Sequence, residues 1–93
     1  MFWTYILYSN TLGKYYIGFT TDLTGRLIKH NYRHKGFTAS VNDWNRVYQE
    51  SFVSKQEAMA REKQIKSWKS RSMIEKLLRE STAARRMKPF GRG

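Results

Sequence analysis

The apolar positions change their spacing along the chain, and the changes mark the elements. Phe2 to Ser9 is dense in aromatic and branched residues and predicts a strand. Asn10-Thr11-Leu12-Gly13 follows as a turn segment ending in glycine. Lys14 to Thr20, with Tyr15, Tyr16, Ile17 and Phe19, predicts a second strand. Two such runs joined by a short polar link form an antiparallel hairpin. The spacing then becomes helical. Thr20 or Thr21 can cap a helix with Asp22 in its first turn, where a negative charge suits the dipole. Leu23, Leu27 and Ile28 supply its apolar stripe, and it ends near Asn31 to His34, before Gly36.

Phe37 to Asn45 has no period, and Arg46 to Val53, with Val47, Tyr48, Phe52 and Val53, predicts a third strand. Ser54-Lys55-Gln56-Glu57 is a capping box, opening a helix through Ala58, Met59, Ala60, Ile65 and Trp68 that stops near Lys69. Ser70 or Ser72 can cap a last helix bearing Met73, Ile74, Leu77 and Leu78. From Ser81 onward the chain is Ala, Arg, Lys, Pro and Gly with one Phe, which predicts a flexible basic tail over 81–93 after a domain over 1–80. The predicted order is β-β-α-β-α-α, a small mixed α/β domain.

Charge narrows the partners. The 93 residues carry 18 Lys plus Arg against 7 Asp plus Glu, a formal net charge of +11. Hydrophobic residues make up 40 %, enough to drive collapse, so the chain is not a disordered basic arm. Such charge supplies phosphate affinity that does not depend on sequence. A membrane-surface protein would concentrate it on one amphipathic helix. Here it runs through the whole chain, and nucleic acid is the favoured partner over a membrane. The absence of Cys excludes a disulfide scaffold, a thiolate zinc finger and a cysteine nucleophile. The apolar start, Met1 to Tyr8, is too short to span a bilayer and lacks the basic leader of a signal peptide, which makes the cytoplasm the default compartment.

No Gly-rich phosphate loop or nucleophile elbow occurs. The chemistry therefore falls to Tyr, Arg, His and one Glu. Glu62 shares a helix face with Ala58, Ile65 and Lys69, beside the apolar stripe. A carboxylate there needs an ion pair, with Arg61, Lys66 or a distant Arg, or else a bound cation. The ion pair is the commoner arrangement. Arg26 and His30 are i and i+4 on the first helix and share a face. Tyr5 and Tyr16 lie mid-strand in the hairpin. They are either cross-strand packing or, with a cation nearby, candidates for proton transfer.

Trp3-Thr4-Tyr5, followed by Tyr16-Ile17-Gly18, resembles the signature of the GIY-YIG nuclease superfamily. The continuation Gly18-Phe19-Thr20-Thr21-Asp22-Leu23, then Arg26-Leu27 and His30-Asn31, extends the likeness. The stretch Ser54 to Trp68, with Glu57-Ala58, Arg61-Glu62-Lys63 and Ile65-Lys66, resembles the second half of small stand-alone bacterial members, which are akin to the catalytic domain of the excision-repair endonuclease. The first motif keeps only its tyrosine. The resemblance spans Phe2 to Leu78.

The resemblance implies a three-stranded antiparallel sheet flanked by helices. It also implies metal-dependent hydrolysis of phosphodiester bonds in nucleic acid, DNA foremost, by a monomer. Tyr5 would be the general base and Tyr16 would position the water. Arg26 would bind the scissile phosphate, with His30 in support. Glu62 would hold one Mg²⁺ or Mn²⁺. Lys14, Lys29, Arg33, Lys35, Lys66, Arg85 and Arg86 are the cations expected on the nucleic-acid backbone. The alternative is a module that keeps the fold and binds nucleic acid without cutting it.

Overall fold

The computed structural model describes residues 1–31 and 41–87, with side chains through residue 81. The elements follow the predicted order: β1 (Phe2–Ser9), β2 (Lys14–Thr20), α1 (Leu23–Asn31), β3 (Trp44–Phe52), α2 (Lys55–Ser67) and α3 (Arg71–Met87). The sheet runs β2-β1-β3, all antiparallel, so β1 is the middle strand.

Both faces of β1 are covered. On one face Tyr5 and Leu7 are buried with Trp44, and Leu23 and Leu27 of α1 pack over them. On the other face Ile6 is buried with Ile65 of α2 and Ile74 of α3, and Trp68, Leu77 and Leu78 close the edge. Fully burying a residue of the size of Ile6 or Ile65 contributes about 1.5–3 kcal/mol. This two-sided burial explains why the β1 sequence is nearly continuous in apolar residues and does not alternate.

Tight turns hold the elements in register. Gly13 closes the hairpin at φ +63°, the left-handed region that glycine enters without strain. A single carboxylate anchors that turn to the start of β3. Asp43 Oδ1 accepts from the buried Ser9 hydroxyl at 2.6 Å, and Oδ2 accepts from Thr11 N and Oγ1 at 2.8 and 2.9 Å. On the far face the Thr4 hydroxyl, fully buried, donates to the carbonyl of Ala58 at 2.8 Å and ties β1 to α2. Arg61 pairs with Glu50 at 3.0 Å, and Tyr48 donates to the same carboxylate, tying α2 to β3.

Several local expectations are corrected. Asp22, not Thr20 or Thr21, caps α1: its Oδ1 accepts from Gly25 N at 3.0 Å, and Thr20 instead bonds the Asp22 backbone. Ile28 is exposed, so only Leu23 and Leu27 form the stripe. The third strand begins earlier, at Trp44. It carries a bulge, since Leu7 pairs with Arg46 while Ile6 pairs with Tyr48. Val47 between them turns outward, and Val53 lies past the strand end in solvent. The capping box at Ser54 forms as expected, with its hydroxyl accepting from Glu57 N, and Ser70 caps α3 through Met73 N. That last helix does not stop at residue 80 but continues to Met87. Ala, Arg and Met, which fill residues 83–87, are strong helix formers that need no buried face to extend an existing helix. Among the described residues no helix is long and apolar enough to cross a membrane.

Hydrogen bonds from Ser9 and Thr11 hold the Asp43 carboxyl below the usual carboxylate range. The folded state therefore binds this proton less well than the unfolded chain does. The stabilisation is present above the unfolded value, about 3.9, and is lost as pH falls through the lowered folded value. Asp43→Asn is expected to melt at a lower temperature than the parent near pH 7. The gap should narrow below about pH 4, where the parent carboxylate is itself protonated; thermal melts across pH 3–7 check this. A gap that is independent of pH would assign the loss to shape and not to charge.

Candidate active site

Tyr5 is the centre of the arrangement. It faces α1 from the middle of β1, is 3 % exposed, and lies opposite Gly18 in the β1–β2 register. Its ring reaches across the position of Gly18. A Cβ on residue 18 would stand 2.7 Å from the Tyr5 Oη, 2.9 Å from Cζ and 3.2 Å from Tyr16 Cε2. Glycine at that position is thus the floor on which both tyrosine rings rest. Tyr16 pairs with Leu7 and is therefore a diagonal neighbour of Tyr5 on the same face, with ring centroids 6.4 Å apart.

From α1, His30 points inward and is 7 % exposed. Its Nε2 lies 3.1 Å from Tyr5 Oη, within hydrogen-bond range. The Tyr16 ring packs against the imidazole with centroids 4.5 Å apart and meets Trp44 edge-on. The next residue, Asn31, fixes this end of the helix. Its amide donates to Trp44 O at 3.0 Å and its carbonyl accepts from Trp44 N at 2.8 Å. The pairing satisfies the backbone of the first residue of β3, whose strand partner is Ser9, and anchors the residue after His30 to that strand. The sequence does not assign Asn31 or Trp44 this role; a polar amide following His30 is the one available signal.

Arg26 stands one turn before His30 on the solvent side of α1. Glu62 comes from α2, on the other side of the sheet, and its side chain is 20 % exposed. It pairs with Lys66 at 2.8 Å in an i, i+4 contact, and Lys66 is 52 % exposed. The ion pair anticipated as the common arrangement is therefore present, with Lys66 and not with Arg61. Glu62 follows Ala58 by one turn, so the Thr4–Ala58 bond also sets its height above the strand.

The Tyr5 phenol integrates these groups. Burial pushes its pKa far above the ordinary tyrosine value, and the proximity of Tyr16 adds to this. The Arg26 charge acts in the opposite direction and the Glu62 charge raises it further. Both charges thus reach one hydroxyl, from helices on opposite faces of the sheet. Of the five expected site residues, Tyr5, Tyr16 and His30 are in ring or hydrogen-bond contact, while Arg26 and Glu62 bear on the phenol through their charge alone.

The remaining expected cations are more dispersed. Lys14 opens β2, Lys29 lies exposed on α1, and Lys66 is engaged by Glu62. Arg85 and Arg86 fall on the last turns of α3, while Arg33 and Lys35 lie outside the described residues. Among the described residues no three His, Cys, Asp or Glu side chains cluster as a metal cage. Glu62 presents a single hard oxygen ligand. That donor set suits Mg²⁺ or Mn²⁺ held by one carboxylate, water and substrate phosphate, and does not suit a metal held wholly by protein.

The chain is a small α/β domain in which two tyrosines and a histidine meet at one buried hydroxyl. Residues 1–76 match the family model described as the GIY-YIG catalytic domain, and the chain belongs to that family. It is similar to a UPF0213 protein of Streptococcus pneumoniae, 41 % identical over 71 residues, covering 74 % of this chain and 70 % of the relative. A UPF0213 protein of Staphylococcus epidermidis is 40 % identical over 58 residues, covering 60 % of this chain and 70 % of that protein. No solved structure matches the chain.

Gly18→Ala tests the packing of the two tyrosines. The added methyl meets a ring held in place by His30, so the phenol must move. Overpacking of this kind destabilises by about 1–3 kcal/mol. The expected result is a lower melting temperature together with a changed tyrosine near-ultraviolet signal. An unchanged spectrum with parental stability would show that Tyr5 does not rest on this glycine.

Proposed function

We propose that this protein is a metal-dependent endonuclease that hydrolyses phosphodiester bonds in nucleic acid, with DNA as the favoured substrate. The observation that carries the reading is the buried Tyr5–His30 contact at 3.1 Å in a chain of the GIY-YIG family. Burial opposes a free phenolate at this site, so Tyr5 cannot act simply by being ionised. A relay avoids that state. Tyr5 O–H donates to a neutral His30 Nε2, and the phenol oxygen takes a proton from the attacking water as its own passes to the imidazole. The phenol is thus neutral before and after the transfer, and the charge appears on His30. The water oxygen forms its bond to phosphorus while the bond to the leaving oxygen breaks.

Tyr16 packs on the His30 ring and restricts its orientation. Arg26, exposed beside this pair, holds the phosphate and offsets the charge that develops on it. Glu62 supplies the carboxylate ligand for Mg²⁺ or Mn²⁺, and Lys66, half exposed, is free enough to yield that oxygen. The cation, when bound, supplies charge neutralisation at the phosphate and the leaving oxygen. The excess positive charge of the chain supplies affinity without sequence preference. The Lys66–Glu62 pair is the one observation that favours the competing reading, a module that binds and does not cut.

Cleavage assays on duplex, single-stranded, branched and RNA substrates with Mg²⁺, Mn²⁺ or chelator decide between them. The expected result is cleavage that requires the cation. Glu62→Gln should reduce cleavage by at least about 100-fold while binding in chelator changes by less than about threefold, as loss of an interaction used in catalysis and not in binding requires. Cation-dependent cutting by this variant at the parental rate would remove Glu62 from the site.

Tyr5→Phe keeps the ring and removes the oxygen. Stability should fall by about 1 kcal/mol for the lost hydrogen bond. Cleavage should fall by roughly 100- to 10,000-fold if the phenol carries the proton. Parental activity with an intact melt would return Tyr5 to plain sheet packing.

A further inference from the structure

Beside Arg26 lies a cleft of about 250 Å³, lined by Phe2, Phe19, Thr20, Thr21, Arg26 and Lys55. Phe2 and Phe19 are half-buried, and with the threonines they give it an apolar floor and a polar rim. Arg26 and Lys55 are exposed, and no acid among the described residues pairs with either. The larger cavity, between the hairpin and the α2–α3 junction, differs in this respect. There Lys66 is held by Glu62 and Arg71 by Glu75. The cleft beside Arg26 thus combines aromatic surface with uncompensated positive charge, the pairing that single-stranded nucleic acid selects. Its volume is below the range of about 300–1,000 Å³ typical for drug-sized ligands. It is a space for one planar base and not for a duplex.

We propose that this cleft is a nucleotide subsite. It seats one unpaired base of the substrate against Phe2 and Phe19 while Arg26 and Lys55 hold the phosphates on its two sides. The inference rests on the reading of Arg26 as the ligand of the scissile phosphate and extends it. The substrate then carries an unpaired nucleotide next to the bond that is cut, as in a flap, a gap or a frayed end. Stacking is tolerant of base identity, so the preference is for strand structure and not for sequence.

The test uses the full chain in chelator, with an oligonucleotide carrying the fluorescent base 2-aminopurine in a single-stranded segment. Stacking on Phe19 is expected to change the 2-aminopurine fluorescence on binding. Phe19→Leu keeps the cleft filled with an apolar side chain but removes the ring. It should weaken binding of the single-stranded probe roughly 5- to 100-fold, the effect of losing one stacked base, and leave duplex affinity within about twofold. Thermal melting confirms that the variant is folded. Lys55→Gln, at an exposed position opening α2, should lower the salt slope of single-strand binding by about one. Parental affinity and fluorescence in Phe19→Leu would overturn the subsite, as would no fluorescence change with the parent protein. Cleavage measured separately keeps the two readings apart. Cation-dependent cutting with no stacking signal refutes the cleft alone. A stacking signal lost in Phe19→Leu, with no cutting of any substrate, supports the cleft and refutes the nuclease.

Discussion

The structure depends on one strand being buried on both sides. Thr4, Tyr5, Ile6 and Leu7 are all inaccessible because α1 covers one face of β1 while α2 and α3 cover the other. Two of these four residues carry hydroxyl groups, and each must find a partner away from water. Thr4 bonds the carbonyl of Ala58 and Tyr5 meets His30. The two bonds point in opposite directions from adjacent residues. They attach the two helical layers to the same point of the sheet. Any change that shifts β1 moves His30 and Glu62 together, which couples the stability of the strand to the geometry of the site.

Much of this plan can be read from the chain. The change from dense aromatic runs to helical spacing marks the hairpin and the first helix, and the Ser54–Glu57 pattern marks the second. The sequence also brings Tyr5, Tyr16, Arg26, His30 and Glu62 forward as candidates. What it hides is mostly local competition between polar groups. Thr20, Thr21 and Asp22 are all capping residues, and only the position of Gly25 decides for the aspartate: a side chain on residue 25 would collide with its carboxylate. The start of β3 hides behind Asp43 and Asn45, which belong to turns by propensity. Here they flank a buried Trp44 whose backbone is satisfied by Asn31. Val47 has high strand propensity and yet faces solvent, because a bulge rotates it out of the alternation.

Burial of His30 was the least legible feature, and it matters most to the site. A helix position next to Leu27 and Asn31 gives no sign of whether an imidazole turns inward. The answer comes from across the sheet. Gly18 leaves the space that the Tyr5 ring occupies, and the buried phenol finds its partner in His30 of α1. Three residues far apart in sequence determine one hydrogen bond, and no local pattern contains that information.

The acids explain where the positive charge of the chain is available. Asp22 caps α1, and Asp43 ties the hairpin to β3. Glu50 binds Arg61 and Tyr48, Glu62 binds Lys66 and Glu75 binds Arg71. Glu57 lies in the first turn of α2, at the positive end of its dipole. Six of the seven acidic residues thus have a structural engagement within the fold. With 18 Lys and Arg, the chain cannot neutralise its own field. The imbalance is not uniform over the surface. Acids accumulate along α2, α3 and the third strand, where they join elements to one another. Arg26 and Lys55 form no ion pair with any acid among the described residues, at the end of the sheet where β1 begins and β2 ends. The acids of the described residues are thus spent on joining elements to one another, and these two cations are left to solvent.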